Sequence, residues 1–139
     1  TELITNRLGQ DEFAKPLLAI TGRYDHISLD NDDIMLRDQN HNVFPLEQMS
    51  TGAQEQAWLA LRIGFASLNM ESQTAFLILD DAFQHSDWKR RPHIVTEVIR
   101  LVESGWQVFY FSMDDHISGL FRAATNKLQV SFTETKLGA

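Results

Sequence analysis

The sequence predicts an α/β protein: a mostly parallel sheet flanked by helices, with a small N-terminal antiparallel strand layer. Three observations lead there. From Phe76 onward the pattern runs strand, helix, strand, helix, strand, which is how parallel strands joined by right-handed crossovers read. Phe76-Leu77-Ile78-Leu79 is continuously apolar, as expected of a central strand covered on both faces. Between Tyr24 and Leu46, short runs are broken by Asp30-Asn31-Asp32-Asp33 and Asn40-His41-Asn42, the turn residues of antiparallel strands.

Each element follows from its local pattern. Leu3, Ile4, Leu8, Phe13, Leu17 and Leu18 recur at helical spacing up to Ile20, with a kink or restart expected at Pro16 and a C-cap at Gly22. In Tyr24 to Asp30, Ile27 and Leu29 alternate with Ser28; Ile34 to Arg37 and Val43 to Leu46 resume extended character. Ser50 precedes a long helix from Gly52 to Leu68. Ala57, Leu61, Gly64, Phe65 and Leu68 share one face, and Trp58, Leu59 and Ile63 extend the apolar surface nearly all round, so burial is expected. Arg91 to Ser104 is a helix with Ile94, Val95, Val98, Leu101 and Val102 on one face, Pro92 in its first turn and Gly105 at its end. Gln107 to Ser112 reads as a strand, Asp115 to Ala124 as a short helix and Leu128 to Phe132 as a last strand. Internal repeats and low-complexity linkers are absent.

Composition narrows the function classes. The 139 residues suit one domain, and 43% hydrophobic with 22% charged residues is ordinary globular composition. With no cysteine, disulfides and thiolate metal sites are excluded. The formal charge of −7 disfavours stand-alone nucleic-acid binding, which needs clustered Lys and Arg. The one basic cluster, Lys89-Arg90-Arg91, reads as a solvated helix start. No apolar stretch reaches the roughly 20 residues of a membrane span, and Thr1 to Gln10 lacks signal-peptide character, so a cytoplasmic setting without a membrane partner is expected. The first residue is Thr, and a fragment or processed piece is the expectation.

Two features carry chemistry. Asp80-Asp81 ends the apolar run, at the strand end where ligands of open α/β sheets bind. One Asp there can hold Mg²⁺, and a neighbouring acid can orient or deprotonate water. The plainer reading is one Asp capping a turn and the other solvated. The second feature is Met49-Ser50-Thr51-Gly52-Ala53-Gln54-Glu55-Gln56 at a helix start. Ser50 is a natural N-cap, and unpaired amides together with the helix dipole attract phosphate. Gly52 permits close backbone approach. An ordinary capped helix is the plainer alternative.

Together these features resemble ATP-binding-cassette ATPases. Met49-Ser50-Thr51-Gly52 and the following Gln54 to Arg62 are similar to the signature motif and its helix, and Phe76 to Asp81 resembles a Walker B strand. Asp87 sits where the D-loop belongs, and Gln107 to His116 resembles the switch strand with its histidine. The similarity covers roughly Tyr24 to the end and is nearest the coiled-coil branch, which includes structural-maintenance-of-chromosomes and recombination-repair ATPases. It implies half of a P-loop NTPase head: residues 1–22 as a coiled-coil stub and 23–139 as the C-terminal lobe. It further implies ATP and Mg²⁺ as cofactors, Asp80 as the metal ligand, Asp81 and His116 as catalytic residues, and Ser50, Gly52 and Asp87 as nucleotide-binding residues. The implied partners are a P-loop-containing N-terminal lobe and a second head, with DNA met through the complete protein only, in DNA repair or chromosome maintenance.

The departures are specific. Thr51 replaces the first signature glycine, Asp81 stands where Glu is usual, and His116 follows the strand-ending Ser112 by four residues instead of about two. No pair among Gly9, Gly22, Gly52, Gly64, Gly105, Gly119 and Gly138 has P-loop spacing before Lys, so the chain alone is expected to be inactive. A receiver domain would need more chain after Asp81. His26, His41, His85, His93 and His116 show no i, i+4 metal spacing, Asp30-Asn31-Asp32 lacks the rest of a calcium loop, and no G-x-S-x-G elbow occurs. The alternative class is a non-catalytic, ATPase-like interaction and dimerisation module.

Overall fold

A computed structural model describes residues 11–69 and 76–138. The first described element is α1 (Asp11–Thr21), which passes through Pro16 without ending. Leu3, Ile4 and Leu8 of the expected longer helix lie outside the described residues. α1 closes where the Gly22 amide donates to the Leu18 carbonyl at 2.7 Å, and the Thr21 hydroxyl accepts from the Tyr24 amide at 3.0 Å. Its last-turn carbonyls receive an external cation: Arg90 donates through Nε to Ile20 O at 2.9 Å and through Nη2 to Ala19 O at 2.7 Å. A guanidinium suits this negative helix end.

Three strands follow, β1 (Tyr24–Asp30), β2 (Asp33–Asp38) and β3 (Val43–Pro45), antiparallel in the order β1-β2-β3. The first hairpin turns on Asn31 and Asp32, both at positive φ, as tight two-residue loops prefer. The second is held by the Asp38 carboxylate, which accepts from the Asn40 and Asn42 amides and from Asn42 Nδ2. Burial pulls the Asp38 carboxyl upward, but these bonds and Arg23 outweigh it and leave it below its ordinary range.

α2 (Thr51–Asn69) starts at Ser50, whose Oγ accepts from the Ala53 amide at 3.2 Å, the expected cap. Its buried face carries Ala57, Leu59, Ala60, Leu61 and Ile63. Contrary to the expectation of all-round burial, Trp58, Arg62 and Phe65 form an exposed stripe, with Trp58 50% exposed. Their spacing of three and four residues puts them on one solvent face. α2 packs chiefly on α1, with Phe13, Leu17 and Ile20 fully buried in the shared core. Gly64 makes that packing possible: a Cβ there would lie 2.4 Å from Phe13 Cδ1.

β4 (Phe76–Asp80) and β5 (Gln107–Phe111) pair in parallel, with α3 (Arg91–Glu103) as the crossover. The sequence expected this strand pair but not its covering. Leu77, Leu79, Val108 and Tyr110 face inward, whereas Phe76 is 67% and Ile78 52% exposed, beside the exposed Phe109 and Phe111. Among the described residues β4 is thus covered on one face, not both, and α2 rests mainly on α1. A continuous apolar run records both faces as apolar; it does not say that one chain supplies both covers. α3 ends at Gly105 with the Gly105 amide on Val102 O and the Trp106 amide on Leu101 O, a Schellman arrangement.

α4 (Asp115–Leu128) runs one turn beyond the expected helix. The strand expected at Leu128 to Phe132 is absent: α4 ends on Gln129 in the left-handed region, and residues 130–138 continue without regular structure. The buried Thr125 hydroxyl bonds back to Phe121 O, and Thr125 O accepts from the Val130 amide, so these bonds fix the last turn. No helix among the described residues is long and apolar enough to cross a membrane.

The two faces of α2 predict opposite responses. Leu61→Ala on the buried face should lower stability by roughly 2–5 kcal/mol. Trp58→Ala on the exposed stripe should change it by about 0.5 kcal/mol or less. Urea denaturation of both variants checks the assignment, and equal losses would contradict it.

Candidate functional site

Parallel pairing puts the carboxyl ends of β4 and β5 side by side, with Asp80 opposite Phe111. Everything emerging there shares one end of the sheet. A groove of about 900 Å³ runs from Asp80 and Asp81 past the outer side of β5 to residues 130–137. Asp80 is exposed at the end of the uncovered sheet face. Asp81 turns sharply at φ 48°, donates its amide to Phe111 O at 2.8 Å and accepts from the Met113 amide at 3.4 Å. The second carboxylate therefore touches the segment leading out of β5.

Between Asp81 and Arg91 the chain forms a turn-rich segment anchored by Phe83. That ring is fully buried, 5.2 Å from the Tyr110 ring, and the Phe83 amide donates to the Tyr110 hydroxyl at 3.3 Å. Burial pushes the Tyr110 phenol well above its ordinary value, keeping it a neutral hydroxyl. On one side this segment meets the start of α2. Glu55 Oε1 accepts from His85 Nδ1 at 2.7 Å, and Gln56 Nε2 donates to Ser86 Oγ at 2.9 Å.

Gly52 is buried in this contact, and a Cβ on it would lie 2.3 Å from the His85 carbonyl oxygen. The close backbone approach expected of Gly52 is thus made to the chain's own turn. Any side chain substituted at Gly52 would disrupt this packing first. Ser50 and Thr51 remain exposed beside it.

On the other side the segment meets the start of α4. Asp114 accepts from the His116 amide through Oδ1 at 2.9 Å, and Arg91 Nη1 donates to Asp114 Oδ2 at 2.8 Å. Burial raises the Asp114 carboxyl, but the Arg91 and His116 hydrogen bonds prevail and hold it below its ordinary range. His116 lies in the first turn of α4, half-buried, with its ring stacked on Trp88 at 3.9 Å and 12° between planes. Asp87 is exposed; its Oδ1 accepts from the Arg90 amide at 2.9 Å and so caps the turn before α3.

Asp81, Asp87, His116 and Gly52 are all tied to the one segment 81–91, while Ser50 and Asp80 sit exposed at its two flanks. The basic cluster is not the solvated helix start expected. Lys89 is exposed, but Arg90 caps α1 and Arg91 is only 4% exposed. The missed signal was electrostatic: consecutive cations at a helix N-terminus oppose the dipole and need acceptors elsewhere. The partners of Glu55, Gln56 and Tyr110 were also missed, because they lie 27 to 30 residues away in sequence.

Among the described residues no group of three or more His, Cys, Asp or Glu side chains is placed to hold a metal. Asp80 offers a single exposed carboxylate at the sheet end.

No protein-family model matches the chain. It is 28% identical over 113 residues to the uncharacterized protein YhaN of Bacillus subtilis (strain 168), a match spanning 81% of this chain and 12% of YhaN. Among solved structures, it aligns with one from work on ATP-driven dimerization and DNA-stimulated activation of SMC ATPases. There the TM-score is 0.62 at 16% identity, over 86% of this chain and 75% of that one. The Pyrococcus furiosus Smc head domain, with an extended coiled coil and bound to the C-terminal domain of ScpA, gives 0.60 at 16% identity, over 85% and 31%. The SMC head domain of Thermotoga maritima gives 0.57 at 15% identity, over 86% and 43%. The fold of this chain is that of the SMC ATPase heads.

Proposed function

We propose that this chain is the C-terminal lobe of an ATPase head, completed by a P-loop-containing lobe and working as a dimer of heads in the cytoplasm, in DNA repair or chromosome maintenance. The observation that carries the reading is the convergence on segment 81–91 of the β4 end, the α2 start and the α4 start. It unites the segments that resemble Walker B, signature, D-loop and switch. The open sheet face beside Asp80 supports a second lobe: Phe76, Ile78, Phe109 and Phe111 are apolar and left exposed by the described residues.

In this reading Asp80 holds Mg²⁺, which neutralises phosphate charge when bound. Asp81, fixed by its left-handed turn and the Met113 amide, orients the attacking water and takes its proton. His116 donates a hydrogen bond toward the γ-phosphate. Ser50 and the free amides at the start of α2 serve the nucleotide of the opposing head, with Asp87 at the same junction. DNA would be met by the complete assembly and not by this acidic chain.

Calorimetry of the isolated chain should show weak or no ATP binding, since its sequence has no glycine pair with P-loop spacing before a Lys. In the completed head, Asp80→Asn should impair Mg²⁺-dependent hydrolysis. Asp81→Asn should slow turnover by about 10²–10⁴-fold while sparing ATP affinity. If a completed wild-type head shows no turnover, a non-catalytic dimerisation module is the better description.

Ser50→Arg should abolish ATP-driven head dimerisation in light scattering and leave nucleotide affinity within the same head unchanged. Equal dimerisation of wild type and variant would reduce Ser50 to a helix cap.

A further inference from the structure

We propose that Arg91 is a positioning residue that locks His116 as the Nε2–H tautomer and fastens its ring to the segment following Asp81. This rests on reading His116 as the switch histidine, and its test separates the two ideas.

Arg91 is buried and makes four directed contacts. Nε donates to Ser86 O at 3.1 Å, Nη2 to Gln84 O at 3.0 Å, and Nη1 to Asp114 Oδ2 at 2.8 Å; Nη1 also lies 3.1 Å from His116 Nδ1. A guanidinium has only donors. His116 Nδ1 must therefore accept, and the neutral ring carries its proton on Nε2.

Asp114 closes the clamp, since one oxygen holds the His116 amide and the other holds Arg91. Trp88 covers one ring face at 3.9 Å, and Arg91 Cζ lies 5.9 Å from the Trp88 ring. Backbone, ring edge and ring face of His116 are each fixed by a different group. The clamp reaches further through Ser86, whose carbonyl is held by Arg91 and whose hydroxyl is held by Gln56 of α2. The direction of the His116 Nε2–H is thereby referred to the start of α2 as well as to the end of β4.

The first measurement needs no variant. In ¹⁵N NMR of the chain, His116 should show an unprotonated Nδ1 coupled across a hydrogen bond to Arg91 Nη1, with His26, His41, His85 and His93 as internal references. An Nδ1–H tautomer, or no coupling at His116, overturns the proposal. Arg91→Lys keeps the charge but loses the fork, and the coupling and the Trp88 ring-current shift on His116 should vanish. Trp88→Leu, at an exposed position, should remove the ring-current shift and retain the coupling.

In the completed head, Arg91→Lys should lower kcat on the order of 10²-fold at unchanged KM. Adding His116→Ala to Arg91→Lys should cost nothing further. Independent, additive losses overturn the positioning role. If His116→Ala alone leaves turnover intact while the hydrogen-bond coupling is present, the switch assignment fails and the clamp stands.

Discussion

A buried guanidinium at the start of a helix is the constraint on which this site depends. Arg91 is placed where the α3 dipole opposes a cation and where little water reaches it. Its charge is tolerable only because carbonyls, a carboxylate and an imidazole surround it, and removing one partner of such a group costs far more than the pair contributes. The carbonyls of Gln84 and Ser86 fix the path of the turn, and Asp114 and His116 fix the start of α4. Two parts of the chain that are local in neither sequence nor secondary structure are held in register by one side chain.

The rest of the molecule supplies the frame. Gly64 lets Phe13 settle against α2, and Gly52 lets the turn at His85 settle against the opposite end of the same helix. α2 is thus fixed at one end by a ring and at the other by a carbonyl oxygen. Arg90 and Arg91, adjacent in sequence, divide the labour: one neutralises the end of α1, the other organises the loops at the sheet end.

Much of this was legible in the sequence. Helices and strands with clear periodicity fell where expected, and Ser50 capped its helix, because these depend on local spacing and on one side chain meeting one amide. Legibility failed where two remote groups had to be known together. The burial of Arg91 depends on Asp114 and His116, and the steric need for Gly52 depends on His85, so neither shows in its own neighbourhood. Apolarity of β4 was read correctly, but its cover was not, because hydrophobicity reports what a face avoids and not which chain shields it. The missing last strand has a related cause: Val130 to Phe132 has strand-like composition, but the Val130 amide is spent on Thr125 O at the end of α4 and not on β5.

The two-stranded parallel sheet also bears on the behaviour of the chain in solution. Among the described residues its strands present unpaired backbone edges next to exposed Phe76 and Ile78, and such surfaces template contact between copies. A net charge of −7 on 139 residues opposes that contact by mutual repulsion. Repulsion of this kind acts over a Debye length of about 10 Å at 0.1 M salt and about 3 Å at 1 M, whereas burial of aromatic surface is not weakened by screening. Colloidal stability of the chain therefore leans on low ionic strength, and its acidity acts as a charge shield for a face that the described residues leave bare.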